Sequence, residues 1–156
     1  MGLFEVIYGW NYVLMVSLTG WLVAQVLKTL VDFVIMKEIN WERMVGDGGM
    51  PSAHSATVTS LAVAMGKYCG ISSPLFALAA IFAIIVMHDA MGVRRETGEQ
   101  AKVLNKMLEE WMELLGGQNS SLMDMKRLKE MVGHTPLQVM FGAILGIVIG
   151  LIIPVV

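Results

Sequence analysis

Apolar residues in this chain fall into long blocks rather than into the short alternations of a soluble sheet or the one-sided stripes of surface helices. Four blocks stand out. The first, Tyr12 to Met36, is interrupted by Gln25, Lys28 and Asp32; the second, Ala53 to Cys69, is rich in Ala, Ser, Thr and Gly. The third, Pro74 to Met91, contains an unbroken apolar run from Leu75 to Met87, and the fourth, Leu137 to Val156, is almost wholly apolar. A transmembrane helix needs about 20 mostly apolar residues, so the pattern predicts an all-α integral membrane protein with four transmembrane helices. The second block is the least hydrophobic. Its small side chains allow close helix approach in a bilayer, which marks it as a central helix packed on protein. The first block reads as a retained helix rather than a signal peptide. It lacks a basic start, exceeds the length of an h-region and runs into Lys28 and Asp32 without an Ala-x-Ala-like site.

Between the third and fourth blocks the period changes. Thr97-Gly98-Glu99-Gln100 fits a capping box, and Val103, Met107, Trp111 and Leu114 or Leu115 then recur at helical spacing until Gly116-Gly117. Ser120 or Ser121 would cap a second helix carrying Leu122, Met125, Leu128 and Met131 or Val132 on one face. The expectation is an amphipathic helical hairpin over about residues 97–132. It would cover the mouth of the bundle, bind a partner or lie in the membrane interface. The whole chain reads as a single membrane domain.

Composition agrees with the pattern. Of 156 residues, 56% are hydrophobic and 15% charged, with a mean hydropathy of +0.66; a soluble domain carries roughly 25% charged residues. A formal charge of −2 and the lack of a basic aromatic platform argue against a nucleic-acid partner. Cys69 stands alone, so no intrachain disulfide forms. If the four helices alternate, nine basic residues (Lys37, Arg43, Arg94, Arg95, Lys102, Lys106, Lys126, Arg127 and Lys129) share one face and only Lys67 lies on the other. By the positive-inside rule the basic face is cytoplasmic and both termini are outside. The same alternation puts His54, His88 and His134 near the cytoplasmic surface, although His54 and His134 are 80 residues apart. Ionisable groups at the mouth of an apolar segment are costly unless partnered or functional.

Pro51-Ser52-Ala53-His54 is similar to the Pro-Ser-Gly-His motif of the type 2 phosphatidic acid phosphatases and vanadium haloperoxidases. His134-Thr-Pro-Leu-Gln-Val-Met-Phe-Gly142 resembles their later His-x-x-x-Asp-Val-x-x-Gly motif. With Gly48-Gly49-Met50 ahead of the first motif and Asp89-Ala-Met-Gly-Val-Arg-Arg95, the set resembles a divergent bacterial branch of that superfamily over most of the chain. The resemblance implies a phosphate site in which His134 is the nucleophile and His54 the general acid. Ser52 would supply a phosphate-binding hydroxyl and Ala53 a backbone amide. The superfamily arginine precedes the nucleophile by a few residues, where Leu128 stands, flanked by Arg127 and Lys129. That arginine also closes the helix before the nucleophile's helix. In this sequence such a position belongs to Arg94 or Arg95, with the hairpin inserted after it. The superfamily's Lys-x6-Arg-Pro motif has two partial counterparts: Lys37 with Arg43, and the intramembrane Lys28, which has Asp32 at i+4.

Gln138 occupies the place of the superfamily aspartate four residues after the histidine. At i+4 it shares a helix face with His134 and still accepts from an imidazole N–H, but without negative charge. That predicts a weaker nucleophile unless Asp89, beside His88, supplies the carboxylate. Phosphoryl transfer is mostly positioning and charge stabilisation of the equatorial oxygens; a neutral imidazole is a usable nucleophile near neutral pH, and a second imidazole nearby can supply acid–base chemistry. The expected function is metal-independent and cofactor-free phosphate release from a lipid or isoprenoid phosphate at the cytoplasmic leaflet, in a bacterial cytoplasmic membrane, through a phosphohistidine. The alternatives are a non-catalytic phospholipid-binding or membrane-assembly protein that keeps the pocket, and a small transporter using Lys28 and Asp32. Four helices are fewer than the six typical of the membrane phosphatases; a homodimer would supply the missing walls.

Overall fold

A computed structural model describes residues 2–36, 49–114, 127–130 and 132–155. The described residues form helices and no strand: α1 (Leu3–Gly9), α2 (Tyr12–Met36), α3 (Ala53–Cys69), α4 (Pro74–Met91), α5 (Val93–Leu114) and α6 (Pro136–Ile152). Among them, two helical stretches are long and apolar enough to cross a membrane, Tyr12–Val34 and the one that begins at Pro74. Pro136–Ile152 is apolar but shorter.

α3 is the centre of the bundle and packs against α2, α4 and α6. Its start is set by Ser52, whose hydroxyl accepts from the Ser55 amide, and its end by Gly70 at φ +87°. Small residues let the neighbours approach. On α6, Gly142, Gly146 and Gly150 recur every fourth residue and face α3. A Cβ on Gly142 would lie 3.0 Å from Ser55 Cβ, one on Gly146 3.0 Å from the Ala56 carbonyl carbon, and one on Gly150 2.7 Å from Val63 Cβ. Close backbone approach of this kind substitutes for the hydrophobic drive that is missing between helices in lipid. Thr59 Oγ1 adds a bond to the Ala143 carbonyl oxygen at 3.2 Å across the same interface.

The end of the bundle opposite His54 is tied by polar contacts to the last turn of α6. Lys67 Nζ donates to the carbonyl oxygens of Gly150, Leu151 and Ile153 at 3.1, 3.0 and 2.6 Å, and Tyr12 Oη to that of Ile153 at 3.0 Å. A cation at these exposed carbonyls also complements the helix dipole. α6 therefore stops at Ile152, four residues before the end of the apolar block, with Pro154 just beyond.

The segment between α4 and α6 departs from the expected hairpin. α5 follows α4 after Gly92 alone and begins at Val93, so Thr97 is interior to the helix and its hydroxyl donates back to the Val93 carbonyl at 2.9 Å. It is not an N-cap. Residues 127–130 are not helical, which removes Leu128 from the expected second helix; Ser120, Ser121, Leu122, Met125 and Met131 lie outside the described residues. The returning chain runs along α5. Buried Asn105 donates to the Leu128 carbonyl at 2.9 Å and accepts from the Leu128 amide at 3.0 Å, as a strand partner would. Further along, Gly98 presents bare backbone to Glu130 and Val132, whose carbonyl oxygens would be 2.7 and 2.8 Å from a Cβ there. A long apolar stripe on α5 explains why a hairpin is the natural reading, but a side-chain amide and a glycine hold an extended return segment instead.

Candidate functional site

The turn before α3, the α4–α5 junction and the loop before α6 meet at one end of the bundle. Their meeting is enforced by backbone contacts. The Ser52 amide donates to the Gln138 carbonyl at 3.1 Å, joining the first histidine motif to the second. The His134 amide donates to the Ala90 carbonyl at 3.0 Å. Gly133, at φ +84°, lies flat on the first turn of α5, where a Cβ would be 2.7 Å from the Arg94 carbonyl carbon. Only a residue without a side chain satisfies both the left-handed conformation and the close approach.

These contacts bring His54 and His134 next to each other. Their ring centroids are 6.4 Å apart with the planes tilted by 58°. His54 is exposed, whereas His134 is only 4% exposed. Both line a cavity of about 170 Å³ together with Ile85, Val86, Asp89, Ala90, Arg94 and Gly133. Arg94 Nε donates to Asp89 Oδ2 at 2.7 Å, so the one arginine in the cavity wall is held by a carboxylate of the preceding helix.

Gln138 has two tasks. As the third residue of α6 it closes a capping box: Thr135 Oγ1 accepts from the Gln138 amide at 3.4 Å and Gln138 Oε1 accepts from the Thr135 amide at 3.0 Å. Because a backbone amide only donates, this bond fixes which end of the Gln138 side chain is the oxygen. The same oxygen lies 3.4 Å from His134 Nδ1. An acceptor there holds the proton on Nδ1 and leaves the ring lone pair on Nε2, the tautomer a nucleophilic imidazole needs.

The remaining sequence candidates divide. Arg95 is exposed and packs its backbone on Gly133, so of the two arginines only Arg94 lines the cavity. Ser52 is fully buried, its Oγ accepting from the amide and hydroxyl of Ser55 at 3.3 and 3.0 Å; Ala53 is the first residue of α3 and also buried. Neither forms part of the cavity wall. Lys28 is 4% exposed and lies beneath the turn before α3, where Gly49 at φ +89° leaves space for its stem: a Cβ there would be 3.0 Å from Lys28 Cε. Lys37 and Arg43 lie outside the described residues. Asp89 enters the site through Arg94 rather than through a histidine. Sequence reasoning gave Gly133 no role of its own and missed the apolar wall of Ile85 and Val86. A glycine directly before a candidate histidine is the available signal for the first; the second is indistinguishable from the rest of α4 in sequence.

A family model described as the divergent PAP2 family matches residues 10–149. The chain belongs to that family. It is also 39% identical over 148 residues to the uncharacterized membrane protein YuiD of Bacillus subtilis, covering 92% of this chain and 94% of the relative. No solved structure matches. The family match covers the first three apolar blocks, most of the fourth and both histidine motifs, which makes this a membrane protein related to the phosphatases that the motifs resemble.

Proposed function

We propose that the protein hydrolyses a lipid or isoprenoid phosphate at the cytoplasmic leaflet, with α2, α3, α4 and α6 spanning the bilayer and both termini outside. The observation that carries this reading is the pair of imidazoles, 6.4 Å apart across a cavity that Arg94 also lines. A tetrahedral oxyanion between the rings comes within hydrogen-bond reach of about 3 Å of both. His134 Nε2 attacks phosphorus as the bond to the leaving oxygen breaks, and His54, entering protonated, gives that oxygen its proton. Water activated by the now neutral His54 then cleaves the phosphohistidine and releases phosphate. Arg94 stabilises the equatorial oxygens, which carry most of the charge in such transfers. Ile85 and Val86 offer the apolar wall against which the first carbons of a tail would rest.

A second reading has its own observation. Gln138 brings His134 no negative charge, and the Asp89 carboxylate is directed to Arg94. A pocket so arranged would bind a phosphate headgroup without turning it over. Release of inorganic phosphate from a panel of lipid and isoprenoid phosphates, by the full chain in nanodiscs, separates the two. Catalysis predicts release that His134→Ala lowers at least about a thousandfold. Headgroup binding that survives His134→Ala, with no release by the wild type, would establish the binding role instead.

A further inference from the structure

His134 is buried, yet it belongs to the loop before α6 rather than to a helix. On its N-terminal side that loop continues the segment that runs back along α5. Asn105, 6% exposed, takes hold of the far end of this segment. Its Nδ2 donates to the Leu128 carbonyl at 2.9 Å and to Glu130 Oε1 at 2.7 Å, and its Oδ1 accepts from the Leu128 amide at 3.0 Å. Arg127 pairs with Glu109 nearby, but both side chains are exposed and such pairs contribute little. Midway, Gly98 lets the carbonyls of Glu130 and Val132 lie against bare backbone, and at the near end Gly133 rests on Arg94 and Arg95.

The two lengths match closely. Arg95 and Asn105 are ten positions apart on α5, about 15 Å at 1.5 Å per residue. Leu128 and Gly133 are five positions apart, and five residues span at most about 17 Å when fully extended. The segment therefore has almost no slack. A shift of the grip at Asn105 is not absorbed on the way and arrives at His134.

We propose that Asn105 is a positioning residue for His134, acting through this taut segment. Its effect on turnover rests on the phosphohistidine reading; the mechanical link does not. A buried amide is costly unless it is bonded, so covering this face of α5 alone would favour an apolar side chain. An asparagine instead reads the amide and the carbonyl of one residue, Leu128, and so fixes the register. A slip by one residue would turn those backbone groups to the other side. Misplacing a reacting group by about 1 Å lowers a rate up to about a hundredfold, which makes register at Leu128 matter at His134.

The experiment is hydrogen exchange at the His134 amide, which donates to the Ala90 carbonyl, read residue by residue on the full chain in nanodiscs with the amides of α3 as reference. Asn105→Asp keeps the size and the acceptor for the Leu128 amide but turns both donated bonds into repulsions. It should speed exchange at His134 about tenfold or more and leave α3 unchanged. Glu130→Gln, whose side-chain oxygen still accepts, should stay within about twofold of the wild type. Joined to Asn105→Asp it offers the new carboxylate a donor, and it should recover about threefold of the lost protection. On a lipid phosphate that the wild type hydrolyses, Asn105→Asp should lower kcat about tenfold or more with KM within about twofold. If the wild type releases no phosphate, the phosphohistidine reading falls while the exchange result still decides the link. Unchanged exchange at His134, equal loosening of α3, or no recovery in the double variant would overturn the proposal. So would a loss of turnover carried by KM alone.

Discussion

α3 and α4 run side by side in one bundle and invert the usual relation between hydrophobicity and burial. α3 is the less apolar, with two serines, two threonines, a histidine and a lysine in 17 residues, yet Ala53, Ser55, Ala56, Val58, Thr59, Ser60 and Ala64 are buried. α4 is apolar through almost its whole length, yet Leu75, Leu78, Ile81, Phe82, Ile84 and Ile85 are between 49% and 69% exposed and only Ala79, Ala83 and Ala90 are buried. In water this would be an unstable arrangement. In a bilayer it is the expected one, because lipid tails solvate large apolar side chains as well as protein does, and what remains to drive packing is close contact and hydrogen bonding. The candidate site lies where the two regimes meet. His54 comes from the packed helix, Ile85 and Asp89 from the apolar one, and His134 from the loop pinned to the end of α4.

The sharpest way to break this contrast is to put volume into the packed side. Gly146 on α6 sits against Thr59 Oγ1 and the Ala56 carbonyl oxygen, with the Ala56 carbonyl carbon 3.0 Å from where a Cβ would stand. A leucine there has backbone rather than flexible side chain to displace. Gly146→Leu should cost about 3 kcal/mol, at the upper end of the usual cost of overpacking, and much of the chain should fail to reach a folded, monodisperse state. Denaturant unfolding in mild detergent, followed by helical circular dichroism, measures it. A midpoint equal to that of the wild type would mean that α3 and α6 are not packed on their glycine face.

Much of this arrangement is legible in residues, and the gaps have physical causes. The helical architecture follows from block length, and the central place of α3 follows from its small residues. The approach of His54 and His134 follows from alternation of the helices. Other features depend on contacts that sequence spacing does not encode. Thr97-Gly98-Glu99-Gln100 has the letters of a capping box, but no break in the chain precedes it, and Gly98 is there for Glu130 and Val132 to pass. Arg94 and Arg95 are adjacent, and spacing alone does not say that Arg94 is the one that lines the cavity. The seven-residue α1 is too short to leave a periodic signal. The Gly142, Gly146, Gly150 spacing was present in the apolar run and would have identified the face of α6 that meets α3.

A smaller perturbation measures the hydrogen-bonding part of the same interface. Thr59 Oγ1 donates to the Ser55 carbonyl at 2.7 Å within α3 and reaches the Ala143 carbonyl of α6 at 3.2 Å. Thr59→Val keeps the shape and removes the hydroxyl. Because the carbonyls on both sides retain their helical partners, the expected loss is about 0.6 kcal/mol, the average for such bonds between membrane helices. The same unfolding measurement reads it. A loss above about 2 kcal/mol would assign the seam to polar contacts rather than to glycine packing.

The smallest effect should come from the apolar side. Ile84 on α4 is 58% exposed, next to Ala83, which faces the bundle at 4%. If lipid covers this face, Ile84→Ala exchanges one well-solvated side chain for another, and stability in nanodiscs should change by less than about 0.5 kcal/mol, as for surface positions generally. Should the variant instead lose about 2–4 kcal/mol, the cost of emptying a packed site, the face must be covered by protein. A second copy of the chain is then the natural cover, since Ile85 and Val86 of this helix also line the cavity. Light scattering of the same sample, with the lipid and scaffold mass subtracted, would show whether the assembly loses a subunit with the isoleucine. One substitution on the least informative stretch of the sequence thereby decides whether the site is complete within one chain.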